Sequence, residues 1–504
     1  MTSRMSDLLD LKNGSDIRGI ALTTDEHKAN LTPEAMENIA WGLVHWFREQ
    51  KTGPLVVGIG RDSRITGPTL AATLTKVFVT QEITVIDFGL ATTPAMFMAT
   101  QFPEFACDFA LMLTASHLPY YYNGVKIFAK SGGAEKSDIE YILTHPTPLT
   151  PEIGGKSQQA DLLPSYSDFL VQKIRDGLAP EISNQQQPLK GLKILVDAGN
   201  GAGGFFASQV LQPLGADTTG SQFLEPDGYF PNHIPNPDNQ KASESIQQAV
   251  LTHQADLGII FDTDVDRSGI ITKSGKILNR NNLIAVLSRI LLEESPGASI
   301  VTNSPTSDHL KTFIESLGGR QVRYISGYRN VINKALDLNK AGIDCPLAIE
   351  TSGHAAFREN YFLDDGAYVV AKILSLLPSL QKNGQSLDDL IADLGQPADV
   401  LELRLKLQSN QPHALGTQII NDFSDYVTTI PGWQINPENE EGIRISLGAP
   451  DGFGWFLLRM SLHEPLLVLQ IENDEAGHLP KIRQKLAQFF SSYPQVDLAP
   501  LTNQ

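Results

Sequence analysis

The sequence predicts an α/β protein of several domains. Its 504 residues correspond to about three or four domains at roughly 150 residues each. Short apolar runs that read as strands alternate with stretches of helical periodicity, the pattern of parallel or mixed sheets covered by helices. Polar or proline-rich punctuation separates these blocks, notably at 157–161, 185–188 and 226–238.

Taken in order, Thr32 and Pro33 supply an N-cap and a first helical residue. Met36, Ile39, Leu43, Trp46 and Phe47 then form one apolar face, which assigns His45 a structural role. Leu55 to Arg64 reads as a strand running into a polar loop, Ile83 to Phe88 as a second strand, and Phe109 to Leu113 as a buried one. The Arg61-Asp62-Ser63-Arg64 loop could grip phosphate or could form a salt-bridged structural loop. A helix is expected from Tyr166 to about Gly177, with the first domain ending near residue 164.

Lys193 to Asp197 reads as a strand that runs into Gly199, Gly201 and Gly204. That is the spacing of a dinucleotide-binding turn, with Glu225 at a tempting distance. A bare glycine pattern is weak, so a nucleotide is not expected. His233, inside the proline-rich segment, reads as structural. Further on, helix Leu283–Leu292, strands Ala298–Thr302 and Gln321–Ile325, and a turn at Ser326-Gly327-Tyr328-Arg329 form another α/β unit. After Pro397 the pattern changes, with Leu401 to Leu407 alternating as a strand.

The 39 basic and 57 acidic side chains give a net charge of −18. That balance argues against nonspecific binding to nucleic acid or to an anionic membrane. Cys107 and Cys345 are the two cysteines, which implies no disulfide framework and fits a reducing compartment. No secretory signal is visible, and no apolar run approaches the roughly 20 residues that span a bilayer. A cytoplasmic protein is expected.

Two stretches carry chemistry. Thr114-Ala115-Ser116-His117 comes directly after a buried strand and puts the Ser116 hydroxyl at a strand end, where α/β proteins bind ligands. Ser116 is a candidate nucleophile, although most loop serines only satisfy turns. Asp262, Asp264 and Asp266 alternate after a second buried run, Leu257 to Phe261. Three carboxylates in one bent loop are costly without a cation, and a hard ion such as Mg²⁺ suits oxygen ligands. An EF-hand is ruled out because Arg267 and Lys273 stand where glycine and glutamate belong. A solvated acidic turn and the Asp-x-Asp nucleophile loop of the haloacid dehalogenase superfamily are the alternatives; the latter leaves Ser116 without a role.

These stretches resemble the α-D-phosphohexomutases, the phosphoglucomutase and phosphomannomutase family. Thr114 to Pro119, with Asn123-Gly-Val-Lys126 after it, is similar to the family's phosphoserine loop, Ser-His-Asn-Pro with Asn-Gly-x-Lys, with Leu118 in place of asparagine. Asp262 to Arg267 resembles its metal loop, with Thr263 in place of glycine. Glu350-Thr-Ser-Gly-His354 resembles its sugar loop. Arg459 and Ser461 match its phosphate loop, where Leu462 and His463 replace a small residue and threonine.

The resemblance implies four domains around a central cleft, three related α/β domains with mixed sheets and a C-terminal α+β domain. The expected limits are 1–164, 165–276, 277–395 and 396–504. It implies that Ser116 carries the phosphoryl group, that Lys126, His354 and Arg18 assist, and that Mg²⁺ binds Asp262, Asp264, Asp266 and the phosphoserine. Substrate contacts fall to Arg267, Tyr328, Arg329, Glu350, Ser352, Arg459, Ser461 and His463. The implied reaction interconverts hexose 6-phosphate and hexose 1-phosphate of glucose or mannose, through hexose 1,6-bisphosphate, in a monomer or weak dimer. Phosphoglucosamine mutase is the neighbouring alternative, and a catalytically weak sugar-phosphate binding protein is the alternative of another class.

Overall fold

Thr32 and Pro33 open a helix, Pro33–Gln50, as the sequence predicts. The Thr32 hydroxyl accepts from Ala35 N at 3.2 Å, which satisfies one of the free N–H groups of the first turn. Met36, Ile39, Leu43, Trp46 and Phe47 are buried on one face. His45 Nε2 bonds the Thr147 carbonyl at 2.9 Å, the structural role expected of it.

The computed structural model describes residues 8–152, 154–461 and 464–502. They divide into two units. The first takes the described residues up to Asn279 together with Ser352–Leu390, and the second takes Arg280–Thr351 together with the described residues from Ile391 onward. Among the described residues, no helix is long and apolar enough to cross a membrane.

The first unit opens with an eight-stranded mixed sheet built from β1 (Lys12–Asn13), β2 (Asp16–Ile20), β3 (Leu55–Arg61), β4 (Ile83–Leu90), β5 (Phe109–Leu113), β6 (Tyr122–Ala129), β7 (Gly132–Gly133) and β8 (Lys156–Gln159). Their order is β1-β2-β6-β5-β3-β4-β8, with β7 beside β6. All five residues of β5 are buried: it lies between parallel β3 and antiparallel β6, and the helices Gly67–Val79 and Thr93–Met98 pack against it. Such a strand reads as an unbroken apolar run rather than an alternation.

A four-stranded sheet comes next, with β9 (Ile194–Asp197), β10 (Leu257–Phe261), β11 (Ser268–Thr272) and β12 (Ile277–Leu278) in the order β12-β11-β10-β9. β10 is wholly buried for the same reason as β5. The glycine-rich turn after β9 packs closely against the acidic loop. A Cβ on Gly201 would fall 2.6 Å from the Thr263 carbonyl oxygen, so glycine lets this turn back directly onto the acidic loop. His233 Nε2 lies 3.0 Å from Asp197 Oδ2 and holds the same turn from its other side. The helix expected from Tyr166 runs from Leu163 to Asp176, since Pro164 is tolerated in a first turn. The last part of the unit holds the hairpin β16 (Ala355–Phe357) and β17 (Leu363–Asp364), the helix Gly366–Leu374 and two short helices, Leu377–Lys382 and Leu387–Leu390. Asp365 caps the first of these helices by accepting from Tyr368 N at 2.8 Å.

The second unit contains parallel strands in the order β14 (Arg320–Tyr324), β13 (Ser299–Asn303) and β15 (Leu347–Ile349). It also contains an antiparallel sheet of β18 (Asp399–Lys406), β22 (Leu466–Asn473), β21 (Gly454–Met460), β20 (Ile443–Leu447) and β19 (Trp433–Ile435). That C-terminal sheet has its own core, including Leu405, Ile419, Phe423, Phe456, Leu469 and Leu486. Arg444, fully buried, joins the two parts of this unit. It donates to the carbonyls of Ser304 and Thr306 and to Asp308, at 3.1, 3.0 and 2.8 Å, and its guanidinium lies 3.7 Å from the Trp455 ring centroid.

Asp308 feels opposed effects. Burial pushes its carboxyl up, yet the charges of Arg444 and Arg323 prevail and hold it below the ordinary value. A group depressed on folding stabilises above its unfolded pKa and loses that contribution as pH falls through the folded one. The second unit is therefore expected to weaken as pH falls below about 4. D308N should flatten this part of the acid-unfolding curve monitored by circular dichroism; an unchanged curve would remove Asp308 from the account.

Candidate active site

Ser116 stands at the C-terminal end of β5 in a left-handed conformation, φ 51°. That is an uncommon state for a residue with a side chain, and here it turns the hydroxyl inward. Ser116 N donates to Thr114 Oγ1 at 2.9 Å. The loop carbonyls are gathered by a single cation. Arg64 donates to Ser116 O at 2.5 Å, Leu118 O at 2.7 Å, Pro119 O at 2.8 Å and Tyr122 O at 2.9 Å, while its Nε meets Asp62 at 3.2 Å.

The acidic loop leaves β10 and returns through β11. Val265 adopts φ 67°, a strained state for a β-branched residue and a mark of a tightly determined loop. Three carboxylate oxygens, one each from Asp262, Asp264 and Asp266, lie within 4.8 Å of one another, and all three residues are buried.

The two loops meet within the first unit. Ser116 Oγ is 3.1 Å from Asp262 Oδ2 and accepts from Arg267 Nη2 at 2.7 Å. Arg267 Nε donates to Asp262 Oδ2 at 2.9 Å, and Nη2 approaches His117 Nδ1 at 2.8 Å. Lys126 is no solvated strand residue. It is buried, with Nζ 3.1 Å from Asp266 and 3.5 Å from Asp16. Arg18 pairs with the same Asp16 at 2.8 Å. His354 Nδ1 lies 4.0 Å from Asp266 and 3.6 Å from Asp364, and its backbone bridges Arg267.

Electrostatics divide the three aspartates. Burial and the charge of Asp266 push Asp262 well above the usual carboxyl range against Arg267, and the same two effects raise Asp264 to about 6. Burial also opposes ionisation of Asp266, but Lys126, His354 and Arg267 outweigh it and hold that carboxyl far below its ordinary value. Burial lowers His117 to about 2 and His354 to about 3, with Arg267 and Arg18 adding to the effect, so both rings are neutral near pH 7.

Without a cation this cluster is frustrated. Asp264 Oδ1 and Asp266 Oδ1 are buried with no hydrogen-bond partner among the described residues, a costly state for carboxylate oxygens. A hard divalent ion fits the all-oxygen donor set and its charge.

The remaining expected site residues are more scattered. Ser352 belongs to the first unit, its Oγ buried and without a hydrogen-bond partner among the described residues. Glu350, in the second unit, accepts from Gly327 N at 2.7 Å. Tyr328 and Arg329 do not form the expected turn. They open the helix Tyr328–Lys340, whose buried Val331, Ile332 and Ala335 are the helical signal that the glycine obscured. Arg459 lies 3.6 Å from Glu441, and Ser461 Oγ accepts from Glu464 N at 3.3 Å. His463 and Leu462 lie outside the described residues. Sequence reasoning missed Thr93, Asp16, Asp364 and the contact role of His117. Only Thr93 had no signal: His117 adjoins Ser116, Asp16 adjoins the Arg18 motif as Asp16-Ile-Arg-Gly19, and Asp364 opens the family-like Asp364-Asp-Gly366.

Fold and site together define a class: α/β domains that set a buried alcohol against a carboxylate cluster and fixed cations, the equipment of group transfer. Family models described as phosphoglucomutase/phosphomannomutase alpha/beta/alpha domains I, II and III match residues 10–145, 165–275 and 279–397. A phosphomannomutase/phosphoglucomutase of Pseudomonas putida is 31% identical over 85% of this chain and 85% of its own. A phosphoglucomutase of Neisseria gonorrhoeae is 28% identical over 97% and 98%. Among solved structures, a phosphoglucomutase/phosphomannomutase family protein from Burkholderia thailandensis covers 97% of this chain and 98% of its own, with TM-score 0.77 and 25% identity. The chain belongs to the phosphoglucomutase/phosphomannomutase family.

Proposed function

We propose that the chain is a phosphohexomutase that interconverts the 6-phosphate and 1-phosphate of glucose or mannose through phospho-Ser116 and a bound hexose 1,6-bisphosphate. The single observation that carries this reading is Ser116 Oγ held 3.1 Å from Asp262 and 2.7 Å from Arg267. Phosphoryl transfer needs little covalent machinery and much positioning and charge compensation, which this arrangement supplies.

Asp262, Asp264 and Asp266 would hold Mg²⁺. The ion, when bound, supplies positive charge to phosphoryl oxygens. Arg267 fixes the Ser116 oxygen and offers charge on the same side. Transfer breaks the Ser116 Oγ–P bond, whose electron pair stays on Oγ beside the Arg267 donor until Oγ takes up a proton to become the hydroxyl again. It forms a bond from phosphorus to a sugar hydroxyl oxygen, whose proton passes to a nearby base. His354 is assigned that proton. Lys126 adds charge beside Asp266, and Arg18 steadies Asp16 behind Lys126. Return of the other phosphate to Ser116 after the bisphosphate turns over closes the cycle. Glu350, Ser352, Tyr328 and Arg329 are assigned to the sugar, and Arg459, Ser461 and His463 to the nonreacting phosphate, because they match or stand within the family's motifs.

Two measurements test this. Incubation with glucose 1,6-bisphosphate should add one phosphoryl mass to the intact chain, mapped to Ser116. Side-by-side assays on glucose, mannose and glucosamine 1-phosphates should give turnover on the first two. Ligand binding without Ser116 phosphorylation, or turnover confined to glucosamine 1-phosphate, would overturn the proposal.

A further inference from the structure

Thr93 reaches the acidic loop from the first residue of the short helix that follows β4. Its hydroxyl donates to Asp264 Oδ2 at 2.5 Å, and its N–H donates to the Asp264 carbonyl at 2.9 Å. Both residues are buried, Thr93 at 2% exposure and Asp264 at 0%. The side-chain bond is not a by-product of helix capping. Thr92 caps the helix Thr93–Met98 by accepting from Ala95 N at 3.2 Å, which leaves the Thr93 hydroxyl without a duty in its own helix.

The consequence concerns the two oxygens of one carboxylate. Oδ2 is engaged by Thr93, while Oδ1 is buried with no hydrogen-bond partner among the described residues. The bond restricts rotation of the carboxylate about its last side-chain bond and leaves Oδ1 as the oxygen with no protein hydrogen-bond donor among the described residues. We propose that Thr93 is a positioning residue that selects Oδ1 of Asp264 as the cation-binding oxygen and so sets the divalent-cation affinity of the site. This rests on the reading of the three aspartates as a Mg²⁺ site. Groups that orient a metal ligand typically change affinity by about 10- to 100-fold when removed.

Thr93→Val tests it, because valine keeps the shape and the backbone bond while deleting the donor. Thr93→Ser keeps the donor and deletes a methyl group. The probe is MgCl₂ titrated into the full-length chain, read as heat of binding and as the shift in melting temperature relative to each variant's own metal-free form. The expected result is a roughly 10- to 100-fold weaker Mg²⁺ affinity in T93V and near-parental affinity in T93S. If T93V does not fold, T93A against T93S makes the same comparison. Parental Mg²⁺ affinity in T93V or T93A, or an equal loss in T93S, overturns the role of Thr93. Failure of the unaltered chain to bind Mg²⁺ instead overturns the metal-site reading on which it rests, and D264N, expected to lose binding outright, separates the two.

Discussion

Replacing Ser116 with alanine is expected to lower turnover by at least about 10⁴-fold, because the proposed reaction attaches and releases phosphorus at this hydroxyl. The bisphosphate-dependent gain of mass should disappear with it. The fold should survive. Ser116 Oγ makes few bonds, to Asp262, Arg267 and a long one to His117, and a lost hydrogen bond costs about 1 kcal/mol. Alanine also tolerates the left-handed backbone about as well as serine does. The decisive comparison is S116A against the parent in the same coupled assay, with melting temperature measured alongside. Residual turnover within about tenfold of the parent would mean that phosphate travels by another route, and the site would need a different nucleophile.

The parts of this site that were legible in the sequence are those that depend on local pattern. β5 and β10 announce themselves as unbroken apolar runs because each is buried on both faces. Residues directly after a buried strand must lie at its end, so Ser116 and Asp262 could be placed before their partners were known. The partners themselves were not legible. Thr93 and Asp264 are 171 positions apart, and nothing in a Thr-Thr-Pro sequence says which threonine caps and which reaches outward. Lys126 shows the same limit. Its position on a strand fits solvent as well as an ion pair, and only the tertiary packing that buries it against Asp266 decides. Gly327 misled for a physical reason. Glycine at a helix start looks like a turn until the buried residues beyond it are seen.

Arg64 is the second position where a large effect is expected. A guanidinium has five N–H donors, and here one meets Asp62 while the other four meet the carbonyls of Ser116, Leu118, Pro119 and Tyr122. No Arg64 donor is left for a phosphate, which gives Arg64 the structural reading, while Arg61 pairs with Asp87 at 3.1 Å. Its burial is nearly complete, so the cation is tolerable only because every donor is used. R64M would leave Asp62 and the loop carbonyls buried without that donor set. A loss of about 3–5 kcal/mol is expected, read as a lower denaturation midpoint. Activity should fall further than stability predicts, because the Ser116 carbonyl is one of the groups released, and small misplacement of a reacting oxygen can cost about 10²-fold. R64K separates charge from geometry. One ammonium keeps the charge beside Asp62 but cannot span four carbonyls with three donors on a single nitrogen, so it should recover part of the stability and little of the turnover. Adding D62N to R64M should restore some stability by removing the orphaned carboxylate and restore no turnover. Full activity in R64K would mean that the loop holds Ser116 by its own turn and packing, with the guanidinium acting only as a counter-charge for Asp62.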